Sequence, residues 1–295
     1  MTHSKQQQSL AVVVLLGGSL IWGLFWWPLK QLAEQGFPSG LIQMAANASA
    51  ALAMLPAIWR QDKAPLRTHA GLLLLIMLFG GWANASFASA LAYGSVVRVM
   101  LLFYLAPVWT ILAARVALGE PITRLRLLSL GLALTGLMMT LGGPDLFAAP
   151  LSGIDLLALS AGFAFALNNV TIRAGYHLPE SSRIMAVLTG CVVFSALMFG
   201  WEGGAVPAAG PQYWLALPLL GLIWILPGTL ATYFGVSRLP AGKASILLLS
   251  ELVVALVSAV LINDEALSLA ESLGAGLILA AGLLEALTEP QEEEV

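Results

Sequence analysis

LAPVWTILAARVALGEPIT (Leu105–Thr123) and SELVVALVSAVLINDEALS (Ser250–Ser268) lie 145 residues apart. Each is an apolar run of helical length that closes in an acidic turn. The same offset aligns residues 90–139 with 235–284 without a gap. Glu120 then falls on Glu265, Thr123 on Ser268, Gly131 on Gly276, Leu132 on Leu277 and Leu134 on Leu279. The charges do not match: Arg115, Arg124 and Arg126 fall on Val260, Leu269 and Glu271. Basic residues keep loops on the cytoplasmic side of a membrane. Two similar hairpins of opposite charge therefore belong on opposite faces, and the chain reads as one unit written twice and inverted. Inverted repeats are typical of secondary transporters, which hold substrate between the halves.

Composition excludes a soluble domain. The chain is 59% hydrophobic and 10% charged, against about 25% charged in soluble domains. The apolar runs of about 20 residues match a hydrocarbon core about 30 Å thick. The net charge of −3 carries little information, because charge is segregated by face. One cysteine, Cys191, excludes an intramolecular disulfide and a Cys-based metal cluster. The run Leu10–Trp27 is too long for the core of a signal peptide and lacks a small-x-small cleavage site. It is read as a retained first helix.

The pattern predicts an all-α integral membrane protein of ten transmembrane helices, arranged as two inverted five-helix repeats. The helices are expected at 9–29, 39–59, 70–92, 96–117, 124–142, 153–173, 184–201, 212–236, 242–262 and 268–287. Breakers separate them: Gly36-Phe37-Pro38, Pro65, Gly142-Gly143-Pro144, Pro179, Gly203-Gly204 and Pro240. Thr123 is expected to cap helix five, and Ser268 with Glu271 to form a capping box on helix ten. The first repeat is assigned to 1–149, the second to 150–288, and 289–295 is an acidic cytoplasmic tail expected to be disordered. With the N-terminus inside, Lys5, Arg60, Lys63, Arg67, Arg115, Arg124, Arg126, Arg173, Arg183, Arg238 and Lys243 lie inside; Lys30 and Arg98 lie outside. Eleven of the 13 basic residues on one face predict ten spans with both termini cytoplasmic, in the plasma (inner) membrane. Five helices per half is an odd number, so the halves must insert in opposite directions. The linker at 142–152 carries no basic residue, with Asp145 in it and Asp155 nearby, as an external loop should.

Polar groups at membrane depth face the bundle or a cavity. Asn47, Asn84, Ser86, Asn168, Asn169, Thr229, Ser245, Ser250 and Glu251 are the candidates. A carboxylate at mid-helix costs about 2.5–3.5 kcal/mol on insertion scales, so Glu251 is expected to contact a substrate amino group or to couple protons; a structural hydrogen bond is the plain alternative. Arg98 and Lys243 are equivalent at the 145 offset and are read as snorkelling cations. Prolines recur within spans at Pro28, Pro56, Pro107, Pro218 and Pro227, each freeing a backbone carbonyl. Pro107 and Pro227, mid-helix four and eight, are expected to gate. Of the aromatics, Trp27, Trp59, Trp201 and Trp214 suit an interfacial belt. Trp22, Trp82, Tyr93, Tyr104 and Trp224 join Asn168, Asn169, Ser245 and Glu251 as the expected substrate-binding set. Helices one and six align at an offset of 143, which places Trp22 on Phe165, Phe25 on Asn168 and Trp26 on Asn169.

Leu105-Ala106-Pro107-Val108, Leu118-Gly119-Glu120-Pro121-Ile122-Thr123, their counterparts Ser250-Glu251-Leu252-Val253 and Asn263-Asp264-Glu265-Ala266-Leu267-Ser268, and the glycine-rich fifth and tenth helices resemble the drug/metabolite transporter superfamily in its ten-helix, two-repeat EamA form. With the Trp22-Gly23 start, the chain looks most like the YddG-type exporters of aromatic and other neutral amino acids. The resemblance implies alternating access around a central cavity, without ATP. The family usually has Pro after the helix-nine Glu, where this chain has Leu252.

Other classes fit less well. His3, His69 and His177 all fall in loops or the tail, so neither a Ser–His pair nor a His-based zinc site forms at membrane depth, and the chain is read as a non-enzyme with no cofactor. Gly242-Lys243-Ala244 lacks the Ser or Thr that follows the lysine of a P-loop. No ring of like charges suggests a channel, and nothing suggests nucleic acid. Expected partners are amino acids and the lipid bilayer. A flippase or exporter of lipid-linked sugar, drug or nucleotide-sugar is the alternative. Monomer and homodimer both remain open, with Gly131/Thr135 and Gly276/Ala280 as small faces for close helix contact.

Overall fold

The computed structural model describes residues 5–61, 69–94, 96–142, 150–263 and 268–287. His3, Lys63, Pro65, Arg67, Gly143, Pro144, Asp145, Glu265 and the tail at 289–295 lie outside the described residues. The described chain is helical throughout, without strands. Helix one consists of α1 (Lys5–Gly23) and α2 (Trp26–Glu34). Helices two and three are α3 (Ser39–Arg60) and α4 (Ala70–Tyr93). Helix four is divided into α5 (Val96–Phe103) and α6 (Ala106–Leu118), and helix five is α7 (Arg124–Thr140). Helices six and seven are α8 (Gly153–Ala174) and α9 (Glu180–Trp201). Helix eight runs from α10 (Pro211–Leu220) through a π-turn at Gly221–Ile225 into α11 (Leu226–Arg238). Helix nine is divided into α12 (Ala241–Leu248) and α13 (Ser250–Asn263), and α14 (Leu269–Leu287) is helix ten.

Among the described residues, nine stretches are long and apolar enough to cross a membrane. The remaining expected helix, α7, is present at 17 residues. The outer surface is apolar, with Val116 88% and Leu261 76% exposed, as lipid rather than water requires. The predicted caps form. The Thr123 side chain accepts the Arg126 N–H at 3.1 Å. Ser268 and Glu271 cap reciprocally, Ser268 N–H donating to Glu271 Oε2 at 2.7 Å and Glu271 N–H to Ser268 Oγ at 3.2 Å.

Packing follows the repeat. Helix one packs on eight as three packs on six, and helix one on nine as six on four. Helices two and seven pair with each other, as do five and ten, so each of these pairs maps onto itself when the halves exchange. The five–ten crossing depends on glycine at both sides: a Cβ on Gly136 would lie 2.5 Å from the Gly274 carbonyl oxygen, and one on Gly274 would lie 2.5 Å from that of Gly136. Small residues permit this backbone approach. Gly131 and Gly276, the positions singled out from the sequence, have nothing within 4 Å of such a Cβ.

Three helices expected to be continuous are interrupted. Helix one stops at Gly23, helix four at Phe103 and helix nine at Leu248. In helix one the cause is Pro28, which has no N–H for the Leu24 carbonyl one turn earlier. The chain tightens there, and Leu24 O accepts from Trp27 N–H at 3.3 Å instead. In helix eight, Pro227 sits in the first turn of α11, just after the π-turn.

Candidate functional site

The interruptions in helices one, four and nine meet at Glu251. Gly23, the last residue of α1, lies against the Glu251 carbonyl oxygen and Val254; a Cβ on Gly23 would come within 2.6 Å of both. The hydroxyl of Tyr104, between α5 and α6, lies near the Glu251 carboxyl. Tyr104 also packs against the buried hydrophobic cluster to which Leu249, Leu252 and Val253 belong. Glu251 is the second residue of α13, so its carboxyl stands in the first turn of a helix that begins mid-span. The partial positive charge of a helix N-terminus favours a carboxylate. Among the described residues, the other acidic and basic side chains sit within about two turns of a span end or in loops.

Helix one is tied down on both sides of its break. Trp22 Nε1 donates to Thr232 Oγ1 of helix eight at 3.1 Å. Its ring lies over Gly228 and meets Phe25 edge-on at 5.6 Å. Trp26 Nε1 donates to Ser258 Oγ of helix nine at 2.8 Å. Tyr104 continues into aromatic contacts with Phe103 at 5.4 Å, and Phe103 with Phe165 at 5.3 Å.

A second polar group lies on helix six. Asn168 is 5% and Asn169 0% exposed. Asn168 Oδ1 and both side-chain polar atoms of Asn169 have no hydrogen-bond partner within the protein. The Asn168 amide faces Gly80 of α4 and the Tyr233 hydroxyl of α11.

The other candidates have partners of their own. Trp82 Nε1 donates to Ser160 Oγ at 3.1 Å. With Phe79, Phe163, Leu167 and Phe194 it lines one of two adjoining apolar grooves on the outer surface, each of about 330 Å³. Tyr93 is 54% exposed at the end of α4. Trp224 lies in the π-turn, packed on the larger hydrophobic cluster. Ser245 is buried and donates to the Gly242 carbonyl at 2.9 Å. Pro107 and Pro227 each fall in the first turn of a helical segment, α6 and α11.

Thr232 and Ser258 were not singled out from the sequence, and Gly23 was quoted only as part of the family resemblance. The Thr and Ser look like ordinary small polar residues of a span, and nothing in a single chain says which indole they will meet. Glu120 was read only as part of a loop motif. Its carboxylate instead accepts the Ala241 N–H at 2.8 Å and the Gly242 N–H at 3.5 Å.

Comparison with known proteins bears on this arrangement. A family model described as the EamA-like transporter family matches twice, at residues 9–142 and 152–285. An uncharacterized transporter of Bacillus subtilis (strain 168), YcxC, is 25% identical over 289 residues, covering 93% of this chain and 92% of that protein. An uncharacterized transporter of Helicobacter pylori (strain J99) is 26% identical over 235 residues, covering 76% of this chain and 73% of that protein. A solved crystal structure superposes with a TM-score of 0.74 at 18% identity, over 94% of this chain and 96% of that one. The last likeness concerns the fold alone.

Proposed function

The chain belongs to the EamA-like transporter family, and on that premise we propose that it exports small amine-bearing metabolites, above all amino acids with apolar or aromatic side chains. It is a multi-pass membrane transporter; the substrate class, the direction and the site are our reading. The observation that carries it is the mid-span carboxyl of Glu251, near Tyr104 where three interrupted helices meet. Interrupted helices mark the binding sites of secondary transporters.

The chemistry follows from what surrounds that carboxyl. No described cation stands beside Glu251 at mid-span, so a substrate ammonium is its natural counter-ion, or a proton when no substrate is bound. An ammonium–carboxylate contact away from water is stronger than the same contact in water. Trp22, Phe25 and Tyr104 offer aromatic surface to an apolar side chain. The amides of Asn168 and Asn169 supply neutral donors for a substrate carboxylate. No covalent step is involved. The halves rock about the site, and the charge asymmetry of the loops supports a topology with both termini in the cytoplasm.

The test is uptake into proteoliposomes of purified protein, comparing phenylalanine and tryptophan with lipid-linked sugar, with and without a proton gradient. We expect amino-acid flux, and its reduction to background in Glu251→Gln at normal expression. Wild-type flux in Glu251→Gln removes the carboxyl from the mechanism. Movement of the lipid-linked sugar alone replaces the substrate class.

A further inference from the structure

Glu120 ends the turn after helix four, in the first repeat, yet its carboxylate is bonded into the second. Gly119 takes φ +72°, a left-handed conformation that glycine adopts without strain, and closes α6. The chain then turns so that Glu120 Oε1 accepts the Ala241 N–H at 2.8 Å and Oε2 the Gly242 N–H at 3.5 Å. These are the first two amides of α12, which otherwise have no intrahelical partner. Arg126 Nη1 lies 3.4 Å from Oε2 and also donates to the Pro121 carbonyl at 3.2 Å, fixing the carboxylate from its own repeat. Gly242 is wedged between Ile111 and Arg126, with a would-be Cβ 3.0 and 3.1 Å from them. Helix α12 is eight residues long, a rod of about 12 Å. Its far end is Leu249, the interruption next to Glu251. One end of this rod is therefore held by Glu120 from the opposite repeat, and the other adjoins the candidate substrate site.

We propose that Glu120 is the gating residue of the face rich in Arg and Lys. While its carboxylate caps α12, that face is shut; when the cap is released, α12 swings about Leu249 and opens the path to Glu251. The joint is well suited to this. A carboxylate on a helix N-terminus binds without covalent change, and the Arg126 pair keeps it aimed when the helix leaves. Release at the membrane face and rearrangement at Leu249 are motions of the same short rod. The proposal rests on the alternating-access reading above, but not on the choice of substrate.

The test uses full-length protein in liposomes, in a Cys191→Ala background carrying Ala244→Cys, a buried position on α12. A membrane-impermeant maleimide is applied from the Arg/Lys-rich side, and the labelling rate is compared for Glu120, Glu120→Gln and Glu120→Ala. A second set carries Ala158→Cys on α8, buried near the opposite face. We expect labelling at position 244 to rise at least tenfold in Glu120→Ala and by a smaller factor in Glu120→Gln, with position 158 unchanged. Equal rates at position 244 in all three proteins overturn the proposal. So does a parallel rise at position 158, which means general loosening. If Glu120→Ala does not reach the membrane, the Glu120→Gln comparison decides in the same way. Labelling needs no substrate, so failure of the amino-acid assay and failure of the gate are separate results.

Discussion

Helix four and helix nine hold equivalent places in the two repeats, and both come apart at matching positions, Tyr104–Leu105 and Leu249. Their local reasons differ. Helix four has Pro107 in the first turn of α6, a residue that starts a helix well and continues one badly. Helix nine has Leu252 at the matching place, with its N–H intact and donating to the Leu249 carbonyl at 3.1 Å. No residue in that segment forbids a continuous helix. The interruption in helix nine is therefore tertiary: the backbone of Gly23 presses on the Glu251 carbonyl and Val254, and α12 is fixed at its other end by Glu120. One repeat writes its break into the local sequence, and the other receives it from its neighbours. The repeat that lacks the proline is also the one that carries the carboxyl.

The largest effect that would sharpen this contrast is expected at Gly23. In Gly23→Leu the side chain must displace the Glu251 backbone or Val254, and overpacking of this kind costs about 1–3 kcal/mol. We expect folded protein in the membrane to fall severely, and any remainder to transport at under a tenth of the wild-type rate. Gly17→Leu is the control, because nothing lies within 4 Å of a Cβ there. Size-exclusion profiles and flux, measured together, check the pair. A well-folded, active Gly23→Leu protein breaks the tertiary explanation of helix nine.

Tyr104→Phe comes next. It removes the hydroxyl beside the Glu251 carboxyl and leaves the ring and its contact with Phe103. A hydroxyl that closes onto the carboxylate when substrate binds contributes about 1.5–3 kcal/mol, so about a tenfold or larger loss of substrate affinity is expected at near-normal stability. Leu249→Phe, at the matching place in helix nine, has no hydroxyl to lose and should change packing without selectively weakening binding. Substrate titration by tryptophan fluorescence or scintillation proximity distinguishes the two.

How much of this was legible follows from the same contrast. Ten helices were readable because each span must supply its own backbone hydrogen bonds and its own apolar surface, and both leave marks in the local sequence. In helix four, Pro107 marked a bend in a helix expected to be continuous, and the structure turns that bend into a full break. The break in helix one was readable in principle, since Pro28 frees the Leu24 carbonyl, but a proline near a helix end does not say whether the helix bends or stops. The break in helix nine left no local mark. Among candidate side chains, Glu251 stood out because of the cost of a carboxyl at mid-span, and Tyr104 as an aromatic at mid-depth. Trp82 carried the same signal as Trp22, yet its indole pairs with Ser160 beside an outer groove, whereas Trp22 bonds Thr232 inside the bundle. Depth along a helix is written in the sequence; the face a residue presents depends on neighbours from the other repeat.

The smallest effect is expected from introducing into helix nine the proline that helix four carries. Leu252 is the third residue of α13, within the first turn, where a backbone N–H has no partner in the helix itself and proline is tolerated. Leu252→Pro removes the single bond from that N–H to the Leu249 carbonyl, a loss of about 0.5–1.5 kcal/mol. It also restricts the unfolded chain, a gain of about 0.4–1 kcal/mol where the native backbone is compatible. The two nearly cancel before the truncated packing of the buried Leu252 side chain is counted, so a melting temperature slightly below wild type and retained transport are expected. The reciprocal Pro107→Leu gives helix four an N–H but does not move its neighbours. If the break depended on proline alone, this variant would join α5 to α6 and pull Tyr104 away from Glu251, with flux falling as far as in Tyr104→Phe. If the repeat architecture holds both breaks, flux in Pro107→Leu stays within about twofold of wild type, well short of the roughly tenfold that one charged hydrogen bond represents. Which of these flux values is measured decides whether the proline in helix four causes the break or only accommodates it.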